Sequence, residues 1–433
     1  MNNLQEMSAP VKVEDLVEEL LIDTKDLEPE PGFFQCSIYR VPKKIRSTNE
    51  KFYTPQLISI GPFHHGDTKL ADMEEKKKRY MKQFLQRITS EKRDKILTFI
   101  KDNEQKIRNC YAEIFPLESH KFVMMIMYDA IFIIELFVKN KSRRDRASDA
   151  LLATAAGRHT LCKDLELLEN QLPFFVLDEI YMLVNFNSPQ VPTFMELSCL
   201  FFGFFKNLKL TRLPSKVEIK HFCTWRRITL LKGYPNSVLE SKGWIKDLPS
   251  AVKLHESGVH FERVDRECLL DIKFASIKRL IPFFKKYEVQ IPRLELYENT
   301  ECQLRNIIAL EQCRYTWDSP VCNYIKIMDS LINTEKDVDL LVAKGIISNQ
   351  LGNNASVIRM FNKLNENIHL SLSSSYKCCE DLKAHYNSRW NKRKATLRSV
   401  YFSNPWRSAG TVAAIILLLL TVIQTICSIM QVV

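Results

Sequence analysis

The sequence predicts a mainly α protein: an irregular multi-helix globular body with a few short β-strands, followed by one C-terminal transmembrane helix. Three observations carry that expectation. Glycine is scarce, 11 of 433 residues, so few of the strained turns that a sandwich or barrel needs are available. Hydrophobic residues make up 45% and charged residues 26%, the balance of a chain that buries a core. The last stretch, Ala409 to Val433, carries no charge.

Up to Glu30 nine acids face only Lys12 and Lys25, so residues 1–32 read as an acidic mobile arm with one amphipathic helix near Val13–Ile22. The body is expected over 33–378. It opens with FFQCSIYRVP and TPQLISIGPF, whose prolines suit edge strands or plain loops. A helix follows from Thr68 to about Ile88, with Asp67 or Thr68 as its N-cap. Helical patterns continue through Lys95–Tyr111 and into FVMMIMYDAIFIIELFV, Phe122–Val138, capped by Ser119. Asp129 and Glu135 interrupt that run and would be costly against lipid, so it reads as the most buried helix of the body. KNKSRRDRASDA reads as a solvated basic loop.

In DLELLENQLPFFVLDEIYMLV, Leu165, Leu168 and Leu172 share a helix face, and Pro173 ends or kinks that helix at Leu172 while being placed to begin the next. Glu169, Asn170 and Gln171 are expected to bond the helix ends that Pro173 frees. Further helices are expected in FMELSCLFFGFF and VEIKHFCTWRRITLL, then a short one closed at Gly258 and followed by two strands, in VHFERV and LLDIKFAS, forming a hairpin. Helices resume at Glu301–Arg314, Tyr324–Ile332 and Asp337–Lys344, the last ended by Gly345, and Asn354 caps ASVIRMFNKL. A basic juxtamembrane helix, 379–408, is expected to run on into the transmembrane helix, 409–433.

LISIGPFHHGDTKL, Leu57–Leu70, has the glycine spacing of a phosphate-binding loop at Gly61 and Gly66. That chemistry needs a lysine directly after the second glycine, and Asp67 stands there instead, while Pro62 removes an amide from the cradle. His64 and His65 are the only paired histidines, with Cys36 the sole nearby third zinc ligand; adjacent side chains rarely point at one metal, and no metal or cofactor is assigned. His221, His255, His260 and His385 are isolated and read as structural. GxSxG, HExxH and GxGxxG motifs are missing, so no enzyme class is assigned. An enzyme of undetected type, using Glu169 or the His64 and His65 pair, is the alternative. Twelve cysteines form no CxxC pair and no secretory signal opens the chain, which predicts free buried thiols in a reducing compartment.

Net charge is +11, and its densest cluster is Arg389, Lys392, Arg393, Lys394, Arg398 and Arg407. These residues abut the uncharged terminus and do not alternate with aromatics as in a nucleic-acid module, so anionic lipid headgroups, not nucleic acid, are the expected partner. As a helix the terminus would be about 37 Å long, enough to cross a hydrocarbon core of about 30 Å. The basic flank predicts a cytosolic body, and Thr421, Gln424, Thr425 and Ser428 are candidates to bond a partner helix within the bilayer.

Eight stretches in order, among them GPFHHG (Gly61–Gly66), LENQLPFF (Leu168–Phe175), LPSAVKLHESGVHFE, RNIIALEQC and YFSNPWRSAGTVAAIILLLL, resemble the plant family called domain of unknown function 247, from about Cys36 to the end. Gly61, Pro62, His64, His65, Gly66, Leu168, Glu169, Asn170, Gln171, Pro173 and Phe174 match its hallmarks. The resemblance implies a mostly helical plant protein with a single C-terminal span, no established enzymatic activity and unknown protein partners. Some grass relatives are implicated in pollen and stigma self-recognition, which suggests a recognition or signalling role.

Overall fold

Apolar residues at helical spacing organise most of the chain. The computed structural model describes residues 35–185, 191–203, 218–234, 243–266, 268–278, 285–389, 391, 393 and 405–432. The acidic arm and its amphipathic helix lie outside them.

The first part of the body is helical: α1 (Lys43–Arg46), α2 (Ala71–Leu85), α3 (Ser90–Asp102), α4 (Glu104–Arg108), α5 (Ser119–Lys141), α6 (Arg143–Ser148), α7 (Ala155–Glu166), α8 (Phe174–Asn185), α9 (Phe194–Phe202), α10 (Phe222–Leu230) and α11 (Ala251–Glu256). Strands β1 (Val259–Val264), β2 (Lys273–Lys278), β3 (Lys285–Pro292) and β4 (Leu294–Leu296) follow. Then come α12 (Glu298–Arg314), α13 (Pro320–Leu331), α14 (Glu335–Ala343), β5 (Ile347–Asn349), α15 (Asn354–Asn365), α16 (Tyr376–Asn387) and α17 (Pro405–Val432).

Helix α5 is the axis of the first core: Phe122, Ile126, Phe132, Ile133 and Phe137 are fully buried, and α2, α3, α8 and α9 pack around it. A second core gathers around α12, α13 and α15 and takes in the sheet. A smaller cluster joins Leu168, Val41, Tyr53 and Cys223 with Ala309 and Leu310 of α12. All twelve cysteines are free; seven are buried as expected, while Cys110, Cys162, Cys313 and Cys378 are half-buried and Cys427 is exposed.

Several expectations need correction. Ser119 is the first residue of α5, not its cap; its hydroxyl donates to Glu104 at 2.5 Å. Part of the basic loop folds as α6, because the Ser142 hydroxyl accepts from the Asp145 amide and caps it. Helix α7 stops at Glu166 rather than Leu172, so Leu168 parts from Leu165 and enters the smaller cluster. VHFERV and LLDIKFAS do not form a hairpin. Strand β3 lies between them, parallel to β1 and antiparallel to β2, and Cys268, Leu270 and Ile272 of the connection are buried in the second core, which prevents a tight turn. Asn353, not Asn354, caps α15 by accepting from the Ser356 amide at 2.8 Å. Helix α16 ends at Asn387, where Ser388 takes an extended ψ of 132°, so no continuous helix joins Cys379 to the terminal one.

Candidate functional site

The two quoted motifs meet in the body, and the meeting point is polar and buried. Residues 56–61 run through the first core in neither helix nor strand, so their buried amides and carbonyls need other partners. Side chains supply them. Asp164, at the end of α7, accepts from the amides of Gln56, Leu57 and Ile58 at 2.6–3.0 Å. Asn170 accepts from the Ile60 amide at 2.6 Å and donates to the carbonyls of Ile58 and Asp164, both at 2.9 Å. Asp129 of α5 accepts from the Gly61 amide at 2.8 Å. Lys77 of α2, also buried, donates to the Ser59 carbonyl at 2.5 Å and pairs with Asp129 and Glu74, each at 2.6 Å. Burial alone would pull the Lys77 ammonium down, but Asp129 and Glu74 outweigh it and hold it above its ordinary value.

This arrangement bears on the phosphate question raised by the glycine spacing. The amides of Ile60 and Gly61 are taken by Asn170 and a carboxylate, and those of His65 and Asp67 donate to the carbonyls of Pro62 and His64, so these four are engaged within the fold. Gly61 is required for a different reason: at φ +70° a Cβ would stand 2.6 Å from the Gln171 carbonyl oxygen. Pro62 is buried beside it. Gly66, at φ +82°, is exposed with open space around it and turns the chain toward Asp67, whose carboxylate accepts from the Lys69 amide at 2.9 Å.

Four consecutive residues of LENQLPFF reach four different segments. The Leu168 amide donates to Asn306 of α12 at 2.9 Å. Glu169 accepts from the Val41 amide at 2.7 Å and from Arg46, with Arg40 at 3.9 Å. Asn170 holds the 56–61 segment, as above. Gln171 donates to the carbonyls of Leu165 and Leu167, both at 2.7 Å, and accepts from the Phe222 amide at 2.9 Å. Gln171 and Asn170 thus do bond the end of α7, whereas Glu169 turns away from it. Pro173 precedes α8, and Phe174 packs against Phe194 and Phe222.

His64 and Glu169 are brought together: Nε2 stands 3.2 Å from Oε2, within ion-pair distance though not aligned as a hydrogen bond. His65 is exposed and joins neither. Burial pushes the Glu169 carboxyl up, but His64, Arg46 and the Val41 amide overcome it and leave it below the ordinary range. Both of its oxygens are engaged, so it could act as a base only by releasing Arg46. Cys36 donates to the Tyr111 carbonyl at 3.7 Å, and among the described residues no three His, Cys, Asp or Glu side chains are grouped to hold a metal. A cleft of about 530 Å³ beside Lys106, Cys110, Pro173, Phe175 and Lys220 is lined by neither histidine nor by Glu169.

Sequence reading missed Asp164 and Lys77. Nothing local marks a carboxylate at a helix end or one lysine in a KKK run as buried; only Asp129, a charge inside an apolar helix, carried a visible signal. His221 caps α10 from within, accepting from the Thr224 amide while its other nitrogen meets the Ser37 carbonyl at 2.8 Å, and burial lowers its pKa to about 4.

The family model for DUF247, plant proteins of unknown function, matches residues 38–420, a range that includes every hallmark residue above. The chain belongs to this family. Two UPF0481 proteins of Arabidopsis thaliana are similar to this DUF247 protein: one is 27% identical over 92% of this chain and 87% of its own length, the other 23% identical over 90% and 89%. Neither carries an enzymatic name. No solved structure matches.

Of the basic cluster, Arg389, Arg393 and Arg407 are exposed, while Lys392, Lys394 and Arg398 lie outside the described residues. Helix α17 is long and apolar enough to cross a membrane: within Trp406–Met430 the most apolar 18 residues have a mean hydropathy of 2.6, and none of these is buried in the body.

Proposed function

We propose that this protein is a non-enzymatic interaction or recognition component, anchored in a membrane by α17 with its helical body in the cytosol. The carrying observation is the exposure of α17: Leu417 to Leu420 are each more than half exposed, an apolar surface that water penalises and a bilayer accepts. The basic residues on its N-terminal side favour the cytosolic orientation and suit anionic lipid headgroups rather than nucleic acid. The engagement of Glu169 and His64 in holding the fold favours a binding role over catalysis.

Carbonate washing of membranes tests the anchor; the protein is expected in the pellet, and its release into the supernatant would overturn the reading. A glycosylation acceptor appended after Val433 should be modified, whereas modification of acceptors engineered into the body would reverse the orientation. Glu169→Ala and His64→Ala should lower thermal stability and His65→Ala should not. Stable, folded variants that have lost a turnover activity would favour an enzyme instead.

A further inference from the structure

The polar residues of α17 are not scattered around it. At about 100° per residue, every Gly, Thr, Gln and Ser between positions 410 and 431 lies within about 80° of Thr421. Val412, Ile415, Ile416, Leu419, Ile423, Ile426 and Met430 occupy the opposite side. Gly410, Ala414, Leu417, Thr421, Gln424 and Ser428 recur at alternating steps of four and three, and Gln431 continues the series. That spacing keeps one seam facing a neighbour in a left-handed helix pair, and small residues let the backbones approach.

The hydroxyls on this seam are already satisfied: Thr421, Thr425 and Ser428 donate to the carbonyls of Leu417, Thr421 and Gln424 at 2.8–2.9 Å. Gln424 differs. Among the described residues its carboxamide has no hydrogen-bond partner, and it lies well inside the apolar stretch. Left unpaired in hydrocarbon, such a group costs several kcal/mol.

We propose that α17 pairs in the bilayer with α17 of a second copy of this chain, the two Gln424 carboxamides bonding each other across a two-fold axis. This rests on the anchored reading above. A carboxamide carries both donor and acceptor, so two identical ones satisfy each other reciprocally, as a two-fold interface requires. The stretch from Ser408 to the end has no ionisable side chain other than Cys427, so it offers nothing to neutralise a charged helix of another protein. Arg407 falls on the same side, at the headgroup layer, where anionic lipid offsets its repulsion from its counterpart.

Full-length protein bearing donor or acceptor dyes, reconstituted into vesicles of phosphatidylcholine and phosphatidylserine, tests the pairing. Energy transfer should appear and fall as unlabelled protein is added. Gln424→Leu should weaken association about 3- to 20-fold, while Ile423→Leu leaves it unchanged. With Cys427→Ala in both, Ser428→Cys should cross-link on oxidation and Ile426→Cys should not. A protein that resists carbonate yet gives no transfer, equal effects of Gln424→Leu and Ile423→Leu, or cross-links through Ile426→Cys would each overturn the pairing alone. Extraction by carbonate would overturn the anchor and the pairing with it.

Discussion

Helices α5 and α17 have similar length and apolar character and opposite surroundings. Nearly every residue of α5 from Phe122 to Phe137 is buried in protein, whereas the apolar side chains of α17 face outward. The difference lies in two charges. Asp129 and Glu135 of α5 find Lys77 and Arg87 on the body, partners a folded protein can supply and hydrocarbon cannot. From Ser408 to Val432 helix α17 carries no charged residue. Hydropathy alone would not separate the two; the placement of charge does.

The comparison breaks most sharply at Asp129. Asp129→Ala leaves the Lys77 ammonium buried beside Glu74 alone and the Gly61 amide unpaired, and should destabilise the body by about 3–5 kcal/mol in urea unfolding. The mirror experiment puts a charge into α17: Leu419→Arg should cost about 2.5–3.5 kcal/mol of insertion and move protein from the carbonate-resistant pellet to the supernatant. An equal response to charge in both helices would refute the distinction.

Glu169→Gln, which removes a buried charge from the body while keeping its shape, should cost about 1.5–3 kcal/mol. Its pH dependence sharpens the point. Because the folded carboxyl sits below the ordinary range, its stabilisation is present above the unfolded value and is lost as pH falls through the lower folded one. Unfolding midpoints measured downward from pH 5 should therefore drop more steeply in the wild type than in the variant. Gly61→Ala, with no charge at all, should cost about 1–3 kcal/mol through the forced backbone and the contact with Gln171.

Periodicity made the long helices legible, and charge placement told the buried α5 from α17. Gly345 closes its helix at φ +69° as read, since that signal is local. What escaped was non-local. Strand β3 begins with two lysines and ends at Pro292, and only its pairing with β1 and β2 makes it a strand. LENQLP looked like the end of a helix because its leucines keep helical spacing, but Glu169 and Asn170 bond mainly to distant segments, the Leu168 amide to Asn306, and Gln171 reaches Phe222 as well as the end of α7. The zipper of side chains around 56–61 was invisible for the same reason, since Asp164 lies 108 residues from Gln56 and Asp129 lies 68 from Gly61.

Those separations set an order of events. A ladder strand can pair provisionally and slip, but residues 56–61 have no place to settle until α5, α7 and the Asn170 side chain exist, so roughly the first third of the body must wait, open, while the ribosome adds the next hundred residues. Nascent chains cut before Asn170 should stay protease-sensitive, and those extended past α10 should close. The apolar helix follows the body in the chain, so the body can finish folding in water before α17 needs a bilayer.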